Sequence, residues 1–249
     1  MKNQSRAVLI LSLITIPTIV SLRAAPPTAD DVGDVGSFGR NAIYLGAESG
    51  FITLQTAACT PTPAPTPSHN PANGDQCFQI TDTTVTTPFD AENSCRINLP
   101  GDAAKTLIYP VLNFFYNYHM NNTSGGPAQA RFQFTANITI VSTVLNDPTC
   151  IDPNTGLPCG GQLVFAFTPN RVFDDRRLDD GETAEVRLTL TRAGNAGINK
   201  AQLVQEGLPQ ALVDRLFHNP MTLQLNVVGT AKNVDSANIT SNMRLLGDH

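Results

Sequence analysis

The chain has 249 residues, of which 41% are hydrophobic and 15% are charged, a composition that excludes a disordered chain and a coiled coil. Its 18 Gly and 18 Pro favour a turn-rich β protein, because both residues interrupt helices. The formal net charge of −5 argues against nucleic-acid binding through phosphate neutralisation. These bounds predict an all-β protein with a sizeable buried core.

Residues 1–24 have the pattern of a signal peptide. Lys2 and Arg6 precede an apolar run over residues 7–22, which ends at a small-residue cleavage site. The run is shorter than the roughly 20 residues that span a bilayer, so a membrane anchor is the weaker alternative. We therefore expect a secreted, periplasmic or cell-surface protein, with one domain over residues 25–249 and no transmembrane segment after cleavage.

A proline-rich segment at residues 60–76 follows the first cysteine and is expected to form a solvated loop. Cys59 and Cys77 flank this loop, and export permits disulfides. A Cys59–Cys77 bridge would close the loop, and Cys77–Cys95 is the competing pairing.

A second pair of cysteines, Cys150 and Cys159, brackets an octapeptide rich in turn residues. Such a turn brings the two chain ends together, so we predict a Cys150–Cys159 disulfide. With five cysteines one remains, and Cys95 is expected to be a buried thiol or an intermolecular bridge. No Cys-x-x-Cys spacing indicates a zinc or thioredoxin-like site.

Alternating apolar and polar residues predict strands along most of the chain. The clearest alternations lie at 131–140, 163–167, 185–191, 221–227 and 237–245, and less regular extended segments lie at 41–45, 51–55, 78–81 and 111–120. One polar face per strand is typical of antiparallel sheets that are wetted on one side. We therefore predict an antiparallel β-sandwich of the immunoglobulin-like or jelly-roll type. Segment 178–190 also resembles the turn and strand of many bacterial immunoglobulin-like domains.

An aromatic stripe is predicted on one face of the strand at 111–120, where Phe114, Tyr116 and Tyr118 alternate with other residues. One buried face of a sandwich explains the stripe without any ligand, so the core is the favoured interpretation. A platform for an aromatic-stacking ligand is the alternative.

A short helical insertion is predicted around residues 199–218. Asn199 can cap a first helix that stops near Gly207, and Pro209 can open a second helix that ends before Pro220. We expect this insertion to close one end of the sandwich or to protect a sheet edge.

An acidic run near the middle of the chain is the most suggestive cluster of charged residues. Its members are Asp174, Asp175, Asp179, Asp180 and Glu182. Calcium needs several hard oxygen ligands, so a calcium site is one hypothesis, and no other cofactor is indicated. The spacing fits no EF-hand, and Arg176 and Arg177 lie inside the run, so a solvated turn with local ion pairs is favoured.

The leading functional hypothesis is an exported, noncatalytic β-sandwich with a structural or adhesive role, whose partners are itself or cell-surface components. The chain has no Gly-x-Ser-x-Gly, His-Glu-x-x-His or phosphate-loop motif, so we do not expect an enzyme. A secreted ligand-binding module, with glycans as one ligand class, is the alternative. An exported carboxylate-dependent hydrolase that uses the acidic run is the third hypothesis.

Overall fold

The computed structural model describes residues 42–59, 75–193 and 197–248. These residues belong to one compact unit that spans residues 41–249. A first unit, residues 1–40, lies outside the described residues, as do the predicted signal peptide and most of the proline-rich loop.

Ten strands and three short helices make up the described part of the chain. The strands are β1 (Ala42–Gln55), β2 (Gln76–Gln79), β3 (Thr87–Leu99), β4 (Leu107–Asn121), β5 (Ala128–Val141), β6 (Gln162–Leu178), β7 (Thr183–Ala193), β8 (Ile198–Asn199), β9 (Met221–Lys232) and β10 (Val234–Asp248). A 3₁₀ helix covers Thr143–Asn146, and helices α1 (Lys200–Gln205) and α2 (Gln210–His218) lie between β8 and β9.

The strands form two packed sheets, which confirms the predicted β-sandwich. The larger sheet has six strands in the order β2-β1-β10-β4-β7, with β8 also paired to β4. The smaller sheet has four strands in the order β3-β9-β5-β6. Adjacent strands are antiparallel except for β1 and β2, which run parallel.

The core lies between the sheets because each central strand alternates apolar side chains inward with polar side chains outward. Strand β5 shows this most clearly: Phe132, Phe134 and Ile138 are buried, and Gln133 points to the outer face. The strict alternation predicted at 131–140 is therefore confirmed, and its apolar face meets that of β4 across the sandwich.

Strands β1, β3 and β6 differ from the sequence prediction, and β6 continues past the predicted 163–167 to Leu178. The segments expected at 41–45 and 51–55 belong to one continuous strand, β1, with an irregular register between Tyr44 and Gly46. Strand β3 was not predicted, because a bulge between Ala91 and Cys95 breaks its alternation. Asn93 holds this bulge with a left-handed φ of 55°, and its N–H donates to Oδ1 of Asn226 at 2.8 Å.

The bulge brings β3 of the smaller sheet against β1 of the larger sheet. A Cβ added to Gly50 would lie 1.7 Å from the carbonyl oxygen of Ser94, so only glycine fits at this approach. The Ser94 and Ser241 hydroxyls hydrogen-bond at 2.8 Å beside the Cys95 thiol, whose Sγ lies 3.6 Å from the Ser241 carbonyl oxygen. A small polar cluster is therefore sealed between the sheets.

The cysteines pair as predicted. Cys59 bonds to Cys77, and Cys150 bonds to Cys159, which excludes the competing Cys77–Cys95 bridge. Cys95 is a free and fully buried thiol, as the first of the two expectations for it requires.

The helical insertion also agrees with the prediction. The Asn199 side chain caps α1 by accepting a hydrogen bond from the Gln202 N–H at 2.7 Å. Gly207 follows at a φ of 108°, and Pro209 precedes α2. Helix α2 buries its apolar side and packs against the 3₁₀ helix, where Arg215 pairs with Asp147. No helix within residues 42–59, 75–193 and 197–248 is long and apolar enough to cross a membrane.

Candidate functional site

The predicted aromatic stripe lies in the core. Phe114, Tyr116 and Tyr118 are 1%, 9% and 2% exposed, and they pack against Phe132 and Phe134 of the opposite sheet. The core interpretation accounts for these positions. The ligand-platform alternative has no geometric support, because rings packed in this way leave little surface for a ligand.

The acidic run is not one turn. Asp174 and Asp175 lie within β6 and point to opposite faces of the smaller sheet, because consecutive strand residues alternate sides. Asp179, Asp180 and Glu182 lie at the turn between β6 and β7. The prediction of a turn was therefore wrong for the first two aspartates.

Asp174 faces inward and binds two core-edge side chains. It accepts a hydrogen bond from the Tyr118 hydroxyl and forms an ion pair with Arg176, whose Nε lies 3.0 Å from Oδ1. Burial opposes ionisation of Asp174, but the bonds from Arg176 and Tyr118 outweigh it and lower the pKa of this carboxyl. Burial, reinforced by the Asp174 carboxylate, raises the pKa of Tyr118.

Three of the other four acidic side chains are also engaged locally. Asp175 pairs with Arg131 at 2.7 Å, Asp180 accepts from the Gly125 N–H at 3.0 Å, and Glu182 accepts from the Asp179 N–H at 2.7 Å. Within the described residues, no group of three or more His, Cys, Asp or Glu side chains is placed to hold a metal ion. The calcium and hydrolase hypotheses therefore gain no support from this run.

A different surface emerges on the outer face of the larger sheet, opposite to the face that the sequence singled out. Phe115, one residue after the buried Phe114, is 52% exposed near the middle of this face. Its cross-strand neighbours are Thr240 on β10 and Thr189 on β7, and Thr240 is in turn opposite Phe51 on β1. Phe51, Thr240, Phe115 and Thr189 thus form one row across four strands, which we call the aromatic row.

A polar row runs beside the aromatic row on the same face of the sheet, displaced by two residues on each strand. It consists of Thr53, Asn238, Asn117 and Arg187. Within the described part of the chain, the side chains of Asn117, Asn238 and Thr189 make no hydrogen bond. These amides and hydroxyls therefore present donors and acceptors toward solvent.

All members of the two rows except Thr53 line a shallow groove of about 620 Å³. The one charged group in its lining, Arg187, is neutralised by Glu185, whose Oε1 lies 2.6 Å from Nη2 and 2.9 Å from Nε. The groove therefore has no unpaired charge in its lining, and amide and hydroxyl groups frame the half-exposed ring of Phe115 and the partly buried ring of Phe51. We call it the outer groove.

The outer face of the smaller sheet has a different character. Phe173 is 51% exposed, but the guanidinium groups of Arg171 and Arg131 lie 4.6 Å and 5.8 Å from its ring centre. Gln133 donates to Thr230 at 2.8 Å and accepts from Arg171. The polar groups around this ring are thus bonded to each other.

The alternation of side chains along β4 was the signal that could have revealed the outer groove. In a strand with period two, an apolar residue between two core residues must point to solvent. Phe115 lies between Phe114 and Tyr116, so its exposure follows from the same alternation that predicted the buried stripe. The cross-strand partners of Phe115 could not be found in this way, because they depend on register.

The fold and the two disulfides define a disulfide-bonded β-sandwich, consistent with an extracellular protein. No protein-family model matches the chain, and no match was found among curated proteins or solved structures. Its function must therefore be inferred from its own surface.

Proposed function

We propose that this chain is a noncatalytic adhesive module that acts outside the cytoplasm by binding carbohydrate in the outer groove. The half-exposed ring of Phe115 beside the unbonded amides of Asn117 and Asn238 is the observation that carries this proposal. Extracytoplasmic location is supported by the two disulfides.

The chemistry of the groove matches that of a sugar. A pyranose ring has an apolar C–H face, which stacks on an aromatic ring, and a rim of hydroxyls, which hydrogen-bond to amides and hydroxyls. Phe115 supplies the first kind of contact, and Asn117 and Asn238 supply the second. Few charges are needed for such a ligand, in agreement with the neutralised Arg187.

The groove is also suited to a polymer. Phe51 and Phe115 are two strands apart in the sheet, or about 10 Å at the usual strand spacing. A polysaccharide that crosses the strands can therefore contact both rings with different sugar units. Cell-surface and matrix polysaccharides are the expected ligands of an adhesive module of this kind.

The test compares two phenylalanines of equal exposure. Wild type, Phe115→Ala and Phe173→Ala are incubated with insoluble polysaccharides, including cellulose, chitin and peptidoglycan, and bound protein is measured at several concentrations. We expect Phe115→Ala to weaken binding by about five- to tenfold, because a stacking contact contributes on the order of 1–1.5 kcal/mol. Phe173→Ala is expected to bind like wild type.

Two results would overturn the proposal. One is that wild type binds none of the polysaccharides or of a wider glycan array. The other is that both variants lose binding equally, because the loss would then reflect general surface hydrophobicity. Circular dichroism of each variant shows that the sandwich is intact.

A further inference from the structure

The sheets end at four main edge strands, and three of these carry features that block pairing with another chain. Strand β2 has only four residues and is tied by the Cys59–Cys77 disulfide. Strand β3 contains Pro88 and the bulge before Cys95. Strand β6 contains Pro169 and an irregular register.

Strand β7 has none of these features. It has 11 residues, contains no proline, glycine or lysine, and keeps a regular register with β4 along its length. On its other side it pairs with no strand among the described residues. A long, regular edge strand of this kind is a template for pairing.

The inner face of β7 is also incompletely covered. Leu188 points toward the core side of the sheet but remains 55% exposed. Val186 and Leu190 on the same face are only partly buried. Another strand added beside β7 would cover this apolar surface, and removing it from water favours association.

We propose that β7 pairs antiparallel with β7 of a second copy of this chain, about a two-fold axis at Val186. In this register each Glu185, which also pairs with Arg187 of its own chain, lies opposite Arg187 of the other copy, so opposite charges alternate along the contact. Cross-strand pairs of opposite charge stabilise a sheet, and like charges opposite each other destabilise it. The two Leu188 side chains then lie opposite Ala184 of the other copy.

The charges also disfavour neighbouring registers. A two-fold axis at Glu185 would place two glutamates opposite each other, and an axis at Arg187 would place two arginines opposite each other. The sequence Glu185-Val186-Arg187 is thus self-complementary about its central residue. The product is a dimer with a continuous larger sheet, a closed arrangement of the isologous type.

Cysteine crosslinking tests the register. In Val186→Cys the two cysteines would be directly opposite, with Cα atoms about 4.5–5.5 Å apart, which is within disulfide range. Leu190→Cys is the matched control, because Leu190 is a half-buried aliphatic residue on the same face. The cysteines at position 190 of the two chains would be offset by eight residues along the paired strands, or roughly 26 Å apart.

Mild oxidation should give a covalent dimer of Val186→Cys and none of Leu190→Cys, measured on non-reducing gels. Crosslinking of both variants or of neither overturns the proposed pairing. The native cysteines do not interfere, because four are in disulfides and Cys95 is buried.

A charge exchange tests the same interface without new cysteines. Glu185→Arg and Arg187→Glu each place like charges across the axis, and we expect each to raise the dimer dissociation constant by about tenfold or more. The double variant restores opposite charges and should restore association. Light scattering and sedimentation measure the dimer, and thermal unfolding shows whether each chain is folded.

Monomeric wild type at all accessible concentrations would overturn the proposal, as would single variants that associate like wild type. Failure of the double variant to recover would also overturn the proposed register. This inference is independent of carbohydrate binding, because association is measured without a ligand.

Discussion

Phe115 and Phe173 are exposed to nearly the same extent on opposite faces of the sandwich, but their surroundings differ. Phe173 is flanked by two arginines, and the nearby Gln133 is bonded to Arg171 and Thr230. Around Phe115, the amides of Asn117 and Asn238 have no such bonds within the described residues. Exposure of an aromatic ring therefore does not define a binding site, whereas unbonded polar groups beside it favour one.

The largest effect is expected from two substitutions that are one residue apart. Phe114→Ala should lower the free energy of unfolding by about 3–5 kcal/mol, because it leaves a cavity between the sheets. Phe115→Ala should change this free energy by less than about 1 kcal/mol, since its ring is half in water. Urea denaturation measures both. Equal losses would show that Phe115 is a packing residue. The interpretation of Phe115 as a surface ring available to a ligand would then be wrong.

The stability of the smaller sheet at its β6 edge should depend on the charge of Asp174. Asp174→Asn removes the carboxylate that binds Arg176 and Tyr118, and we expect a loss of about 1–3 kcal/mol at neutral pH. The pKa of Asp174 is lowered by folding, so its contribution is present above about pH 4 and is lost as the pH falls. The variant should therefore show a flatter decline of stability in acid. An unchanged acid profile would contradict this assignment.

The buried thiol between the sheets predicts a loss of stability in alkali. Burial raises the pKa of Cys95 to about 12, so the folded chain holds its proton at pH values where the unfolded chain releases it. Stability from this group is complete well below about pH 8.5 and decreases as the pH rises, by about 2 kcal/mol at pH 10. Cys95→Ala should show a smaller decrease over this range. Urea denaturation of the two proteins at pH 8 and pH 10 checks the difference.

The smallest effect should be that of salt on carbohydrate binding. The outer groove has no uncompensated charge in its described lining, so affinity should change by less than about twofold between 0.1 M and 1 M salt. Binding assays with the preferred polysaccharide test this directly. A steep fall with salt would show that Arg187 carries the interaction, and the ligand would then be anionic.

Local patterns were sufficient for much of the fold. Alternation predicted β5, β7 and β9, and the capping signals at Asn199 and Gly207 located the helices. Spacing and turn chemistry predicted both disulfides. In each case the information lies within about 20 consecutive residues.

Features that depend on distant residues could not be predicted. Strand β3 is held at its bulge by Asn226, and the aromatic row exists only because β1, β10, β4 and β7 pair in one register. Asp174 was expected in a turn because it belongs to an acidic run. Its partner Tyr118 lies on another strand, so the sequence around Asp174 does not reveal the contact. The candidate site was therefore less predictable than the strands that form it.

The pairing of β1 with β10 determines when the chain can complete its fold. Ala42 lies opposite Asp248, so the first described strand is completed by the last, and β10 occupies an interior position between β1 and β4. A nascent chain cannot close the larger sheet before β10 has been synthesised. Such non-local pairing makes folding slow. The larger sheet therefore stays incomplete until β10 has joined it.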